Sequence, residues 1–539
     1  MRLRWLSCSF LTLNLLIACS DQVPLNIKIT SQGSADDVLS VSAKTGDGKV
    51  TLSWQLPSNG KGVTIRRDTA GFPFGPTSGT EVYAGSAASF TDSNVILGQR
   101  YYYLIITIDN NLNFAGGVQK SVIAYDHGSI ASNPSTGSDY SYVILVDGNA
   151  LYIGGLDRTG GLFSQWRIEK RDKISGALDS GFGSGGILQV DPNPAEDDEV
   201  RAMIIDGNDL YIAGSDLSLG TNNAQWRIEK RNKLTGALDT AFDGDGIVLS
   251  NPSAQNDDVR VLAIDSTGLF IGGNDRIVAG NSTSRIEKRN KVTGALDTGF
   301  DGDGILTIAQ SPSDGEEVRA IVIDGAALYL GIMDYLTSDG RWRIDKRDTT
   351  TGALDTGFDG DGILYVTPSV NLDEFTTMAV DGLSLYLAGT DRSLGSTNAQ
   401  WRIEKRNKAT GVLDAGFDGD GILTSNPSSN DDEKPRVLLF DATGMYIGGY
   451  DALLSFSNTQ WRIEKRNKAT GALLPAFDTD GILQINFSNA SEEFKSMWLD
   501  GSTLYFVGLD NSPGNMQWRI EKADKDSGAK ITGALFENP

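Results

Sequence analysis

Histidine is almost absent from this 539-residue chain; the single copy is His127. His127 falls at the junction where the repeats begin, which argues against a Ser-His-Asp triad, and a histidine-based zinc site needs further ligands that the scarce cysteine does not supply. The two cysteines, Cys8 and Cys19, fall at the N-terminus, so the rest of the chain forms no disulfide and must rely on packing and strand pairing. Basic residues are the minority, 47 against 70 acidic ones, for a formal net charge of −23. This balance argues against nucleic acid and against docking on anionic lipid. It is compatible with calcium, with cationic partners or with plain solubility. No cofactor motif is present, and the apolar stretch near the N-terminus is short.

That stretch, residues 11–17, follows Arg2 and Arg4 and is too short to span a bilayer. Residues 1–18 therefore read as a signal peptide, ending Leu16-Ile17-Ala18-Cys19. These four residues resemble the lipobox of bacterial lipoproteins. The resemblance implies cleavage before Cys19, lipidation of Cys19 and a bacterial cell envelope location; the alternative is an ordinary cleaved signal with an incidental cysteine. Two or more acyl chains anchor a protein stably, at about 0.8 kcal/mol per buried methylene. Ser20 stands where an aspartate would favour inner-membrane retention, which leans towards the outer membrane. Loss of Arg2 and Arg4 leaves 45 basic against 70 acidic residues, about −25.

Residues 19–37 are polar, without pattern, and read as a tether. Residues 38–126 read as all-β: Val50-Thr51-Leu52-Ser53-Trp54 and Val63-Thr64-Ile65 alternate, and residues 100–108 form a dense apolar and aromatic run. Trp54 and the phrase Val95-Ile96-Leu97-Gly98-Gln99-Arg100-Tyr101 resemble the core tryptophan and tyrosine corner of fibronectin type III domains. Leu97 replaces the usual proline. The resemblance implies a binding or spacer module.

From residue 127 onwards the chain repeats. The phrase Trp-Arg-Ile-Glu-Lys recurs, unchanged or with one substitution, with its Arg-Ile step at Arg167, Arg227, Arg285, Arg343, Arg402, Arg462 and Arg519, at spacings of 60, 58, 58, 59, 60 and 57 residues. Each copy carries four strand signals: a (Val318 to Ile323), b (Leu328 to Leu330), c (Trp-Arg-Ile-Glu-Lys) and d (Gly421 to Thr424). Seven such copies predict a seven-bladed β-propeller of four-stranded blades over residues 127–539. The phrase from Gly236 to Ile247 and the Leu-Tyr-Ile-x-Gly strand also resemble the delta-60 repeats of bacterial surface proteins, which implies propeller blades. The last copy lacks a clear strand d, and Ile130-Ala131-Ser132-Asn133-Pro134-Ser135 nearly repeats Leu423-Thr424-Ser425-Asn426-Pro427-Ser428. The N-terminal strand at 129–132 is thus expected to complete the last blade, which removes free edges.

Candidate chemistry divides between what every copy shares and what varies. The c–d loop carries Phe-Asp-Gly-Asp-Gly-Ile in four copies; Asp243, Asp245, Asp301 and Asp303 are calcium candidates, but the distal ligands of a calcium loop are missing and a turn role is favoured. Strand b ends in aspartate in all seven copies: Asp157, Asp216, Asp275, Asp334, Asp391, Asp451 and Asp510. With the seven strand-c arginines and the carboxylate two residues on (Glu169 after Arg167), these predict a structural network between blades. Trp226, Trp401 and their equivalents read as packing, since Ser284 stands in for one of them. The d–a loops form a candidate partner-binding rim of Glu196, Asp197, Asp198, Glu199, Asp257, Asp258, Glu316, Glu317, Asp373, Glu374, Asp431, Asp432, Glu433, Glu492 and Glu493. It shares a face with variable b–c loops at residues 158–164, 217–224, 276–283 and 335–341. The expectation is a lipid-anchored, non-catalytic binding or adhesion scaffold for an unknown protein or carbohydrate. The alternatives are a carboxylate-dependent glycosidase or polysaccharide lyase, or a purely structural envelope component.

Overall fold

Short runs of alternating burial punctuated by Gly, Asn and Asp give strands and tight turns, and in the computed structural model every regular element among the described residues is a strand. The structure describes residues 35–531, apart from 47–48, 97–98, 124–128, 160, 279–280, 310–314, 336–339, 429–431, 456–457 and 513. The signal peptide, Cys19, most of the tether, His127 and Asp431 lie outside the described residues. The chain divides into two compact units between Ala124 and Tyr125.

The first unit has seven strands: β1 (Leu39–Gly46), β2 (Lys49–Gln55), β3 (Gly60–Asp68), β4 (Thr80–Gly85), β5 (Ser89–Asp92), β6 (Arg100–Asp109) and β7 (Val118–Ile123). A three-stranded sheet, β1-β2-β5, and a four-stranded sheet, β4-β3-β6-β7, enclose one core. On β2 the alternation buries Val50, Leu52 and Trp54, which meet Val63 and Ile65 of β3 and Tyr101, Tyr103 and Ile105 of β6. The Tyr101 hydroxyl accepts the Ile96 amide at 2.8 Å, which pins the corner before β6. Asp92, buried at the end of β5, receives Arg67 at 2.7 Å and the Tyr103 hydroxyl at 2.9 Å, so the carboxylate is compensated.

In the second unit, seven four-stranded antiparallel sheets follow one another. In the fifth copy the strands are a (Phe375–Asp381), b (Ser384–Asp391), c (Gln400–Asn407) and d (Ile422–Ser425). Strand a of each sheet lies against strand a of the next, and the last (Glu493–Asp500) lies against the first (Tyr140–Asp147), which makes a closed ring. The arrangement fits a β-propeller. The last sheet is completed from the other end of the unit: Ser129–Ser132 pairs with Gln517–Asp524 in the register Trp518↔Ser132, Arg519↔Ala131, Ile520↔Ile130 and Glu521↔Ser129. Copy five has the same register, from Trp401↔Ser425 to Glu404↔Ile422.

Sheets adhere through the strand-c tryptophan. Trp166 is buried, donates its indole N–H to the Ser215 carbonyl of the next sheet at 2.9 Å, and lies where a Cβ on Gly214 would come within 2.7 Å of its ring. The glycine on strand b is therefore required by close approach, not by backbone freedom. The third copy replaces the tryptophan with Ser284, and the fourth replaces the facing glycine with Ile332, which fills the same seam among Ile286, Phe300 and Val318.

A second device latches neighbours together. The lysine after strand c reaches back to the aspartate ending strand a of the preceding copy: Lys291 to Asp206 (2.8 Å), Lys408 to Asp324 (2.5 Å), Lys468 to Asp381 (2.8 Å), Lys525 to Asp441 (2.5 Å), and also Lys233 to Asp147. The carbonyl of each such lysine accepts the hydroxyl of a strand-b tyrosine of that preceding copy, as Tyr211 does with Lys291 at 2.6 Å. Only the seam between copies three and four has lost both partners, to Phe270 and Thr349.

Candidate functional site

The conserved phrase builds a buried Arg–carboxylate–Arg ladder along strand c. Arg167, Glu169 and Arg171 share one face at two-residue spacing; Glu169 takes Arg167 at 2.7 Å on one oxygen and Arg171 at 2.7 Å on the other. The same triad recurs around Glu229, Glu287, Asp345, Glu404 and Glu464. Burial pushes the Glu169 carboxyl up, but Arg171 and Arg167 outweigh it and hold the group below its usual range; Glu287 and Glu464 behave alike. In the seventh copy Ala523 replaces the second arginine and Lys530 reaches Glu521 at only 3.7 Å, so burial prevails and Glu521 is raised.

The expected network between blades needs correcting. The ion pairs lie within each sheet, because the b-strand aspartate and the c-strand arginine are cross-strand neighbours: Arg167 with Asp157 at 3.1 Å, Arg227 with Asp216 at 3.2 Å, Arg402 with Asp391 at 3.0 Å. Contact between sheets runs through cation–π stacking, as with Arg227 over Trp166 at 5.9 Å, and through strand-d serines, as with Ser250 to Glu287 at 2.6 Å.

The acidic rim proves largely occupied. One acid in each d–a loop is buried and organises the turn: Asp198, Asp257, Glu316, Asp373, Glu433 and Glu492. Asp198 accepts the amides of Asn193 and Leu217, the second from the b–c loop of its own sheet. Burial raises Asp198 to about 7, Glu433 to about 8 and Glu492 to about 7. Asp197 and Asp432 pair with b–c loop arginines of the preceding copy, Arg158 at 3.6 Å and Arg392 at 2.6 Å; Asp258 pairs with Arg276 at 3.6 Å. Glu196 stays half-buried at the surface.

The calcium candidates also act as turn formers. Asp243 and Asp301 adopt positive φ of 53° and 49°, while Asp245 and Asp303 each accept the amide two residues on at 2.8 Å. Among the described residues, no group of three or more His, Cys, Asp or Glu side chains could hold a metal ion.

A site that sequence reading passed over lies on the ring's innermost strands. Every strand a carries a β-bulge, and the extra residue is Tyr142, Arg201, Arg260, Arg319, Thr376, Arg436 or Lys495 in turn. A bulge re-aims its side chain, and five of these seven are cations in an acidic protein. Two residues earlier stand Tyr140, Glu199, Asp258, Glu317, Glu374, Lys434 and Glu493. These groups reach one another across copies. Arg260 pairs with Glu317 at 3.7 Å, Lys434 with Glu374, and Arg201 and Lys495 cover the Tyr142 ring at 5.0 and 5.6 Å. Burial lowers Lys434 to about 8, with Arg436 adding to it. The rim residues Glu199, Glu317, Glu374 and Glu493 thus belong to this mixed-charge axial constellation. The signal was the Val-Arg-Ala step of strand a, which reads as an ordinary alternating strand unless the copies are aligned.

No protein-family model matches the sequence, and no curated protein matches it. Among solved structures, the chain is similar to the β-propeller domain of the Trilobed protease from Pyrococcus furiosus (8% identity, TM-score 0.39, covering 75% of this chain and 100% of that one). It is also similar to Drosophila Plexin A solved with Semaphorin 1b (7%, TM-score 0.37, 73% and 86%) and to a rhamnogalacturonan lyase from Bacillus licheniformis (14%, TM-score 0.24, 95% and 94%).

Proposed function

We propose that the protein is a lipid-anchored envelope protein in which a fibronectin type III-like module carries a seven-bladed β-propeller that binds a ligand at its axial mouth without transforming it. The observation behind the binding role is the bulged inner strand. Six of the seven copies share the buried ladder and six of the seven seams keep the latch residues, but the copies differ at the two axial positions, where a repeat scaffold gains nothing from difference. A carboxylate-dependent glycosidase needs one protonated acid facing one ionised acid. On the axis Glu374 and Glu493 are each engaged by a lysine, Lys434 and Lys495, so these two carboxylates do not face each other as an acid and base pair, which supports binding over acid catalysis. The anchoring rests on the Leu16-Ile17-Ala18-Cys19 segment, and the three-on-four sandwich around Trp54 supports the module.

Two measurements test this reading. Radiolabelled palmitate should enter the protein and fail to enter a Cys19→Ala variant, which should leave the membrane fraction. Chain lacking residues 1–18 should bind an envelope protein or polysaccharide fraction, with binding sensitive to axial substitutions and no product released. Equal labelling of Cys19→Ala, or turnover of the bound fraction, would overturn the corresponding half.

A further inference from the structure

The axial pairing pattern changes at copies five and six. In copies two, four and seven, the acid at the first position pairs along the strand with the bulge cation: Glu199 with Arg201, Glu317 with Arg319, Glu493 with Lys495. Copy five keeps its acid, Glu374, but has Thr376 at the bulge, and copy six has Lys434 in place of the acid. Glu374 therefore pairs with Lys434 of the neighbouring copy. Glu317 is shared by Arg319 and Arg260, and Asp258 is engaged by Arg276. The constellation thus sets six cations (Arg201, Arg260, Arg319, Lys434, Arg436, Lys495) against five carboxylates (Glu199, Asp258, Glu317, Glu374, Glu493), and the cation with no ion-pair partner among the described residues is Arg436. Its guanidinium lies over the Tyr450 ring at 5.8 Å.

Three donors mark the same sector. The Nε atoms of Arg260, Arg319 and Arg436 are buried and donate to no acceptor in the described protein. Buried N–H groups without acceptors cost free energy, and planar guanidinium forks match the geometry of carboxylate and phosphate. Glu374 pairs with Lys434 and lies within electrostatic reach of Arg319 and Arg436, so three cations gather around this one carboxylate, and Thr376 is the smallest side chain among the seven bulge residues. The Thr376 hydroxyl is turned to the Ala388 carbonyl at 3.0 Å and does not compete for the arginines.

We infer that the axial mouth at copies four to six binds the oxyanion group of a ligand, carboxylate or phosphate, between Arg319 and Arg436 above Thr376. This rests on the axial-mouth reading and adds the chemistry that the mouth selects. It gives an acidic protein a cationic centre, so an anionic ligand would be held at one sector of the ring and not around its whole circumference.

The test titrates the chain lacking residues 1–18 with inorganic phosphate and, separately, with citrate, at constant ionic strength balanced by chloride. Heat of binding and Tm are the readouts. Saturable binding of either anion is expected, weakened at least tenfold by Arg436→Gln and by Thr376→Arg, which installs the arginine that four other copies carry at the bulge and offers Glu374 a partner on its own strand, and unchanged by Arg158→Gln on the outer loops. Preference for citrate would point to a carboxylate ligand and preference for phosphate to a phosphorylated one; both support the site. No saturable binding beyond chloride, or equal binding by Arg436→Gln, would overturn it. Envelope-fraction binding measured on the same variants separates the two readings: if it persists while both anions fail, the mouth binds but not through an oxyanion.

Discussion

Lys173 and Asp500 stand 327 positions apart in sequence and pair at 2.6 Å. This ion pair joins the first copy to the last with the latch that other seams use between neighbours, so the closing seam is chemically an ordinary one. Both groups are partly exposed, and such pairs contribute about 0.5–1 kcal/mol. Lys173→Met should lower unfolding free energy by that amount in urea titration, with no further loss when Asp500→Asn is added.

The seam between copies three and four offers the converse experiment. Phe270→Tyr together with Thr349→Lys should install the missing latch onto Asp265 and the residue-349 carbonyl. A gain of about 0.5–1.5 kcal/mol is expected, larger than the sum of the single changes, since the hydroxyl and the ammonium order the same loop. A double variant no more stable than wild type would show that the Ser284–Ile332 packing sets a different spacing.

Removing Arg402 should leave the buried Asp391 without its ion-pair partner and the buried Glu404 with Arg406 alone. Breaking such a cluster costs about 3–5 kcal/mol. Arg402→Leu is expected to lower Tm markedly while leaving anion binding at the axis unchanged. A loss of binding without loss of stability would move the ladder from scaffold to site.

Stability should peak in mildly acidic solution. Asp198, Glu433 and Glu492 are raised to about 7, 8 and 7, foremost by burial. Between the ordinary carboxylate range and those values the folded chain holds protons that the unfolded chain has released, so stability falls as pH rises through that window and levels off above it. Glu169, Glu287 and Glu464 are lowered and act oppositely, contributing stability that is lost as pH falls below the ordinary range. Tm should therefore be greatest near about pH 5 and lower at pH 8. Glu433→Gln should recover on the order of 2 kcal/mol at pH 8 and little at pH 5.

Deleting residues 127–136 removes the strand that completes the last sheet. The edge of Gln517–Asp524 then loses its ladder, and Trp518 loses its cross-strand partner Ser132. A fall in Tm and a tendency to associate through the bared edge are expected by calorimetry and light scattering. An unchanged Tm would mean that the ring does not depend on this strand.

Much of the scaffold was legible because repetition multiplies weak signals. A single Trp-Arg-Ile-Glu-Lys is ambiguous, but seven copies at near-constant spacing locate every strand c, and the near-copy at 130–135 locates the displaced strand d. The ladder was half legible: Arg167 and Glu169 share a face by the period of a strand, but whether their partner lies in the same sheet or the next depends on register. The rim divides for a similar reason. Asp198 and Glu199 are adjacent and chemically alike, yet one is buried under a turn and the other faces the axis.

The sequence by itself determined that the chain is all-β, that it repeats seven times and that histidine and cysteine are scarce in it, because composition and period are one-dimensional facts. Only the tertiary structure decided which charges meet. The bulge in each strand a shifts side-chain direction by one residue, an offset that alternation in the sequence does not record. Packing of neighbouring copies around one axis then brings Lys434 to Glu374, 60 positions away, and leaves Arg436 with no ion-pair partner among the described residues.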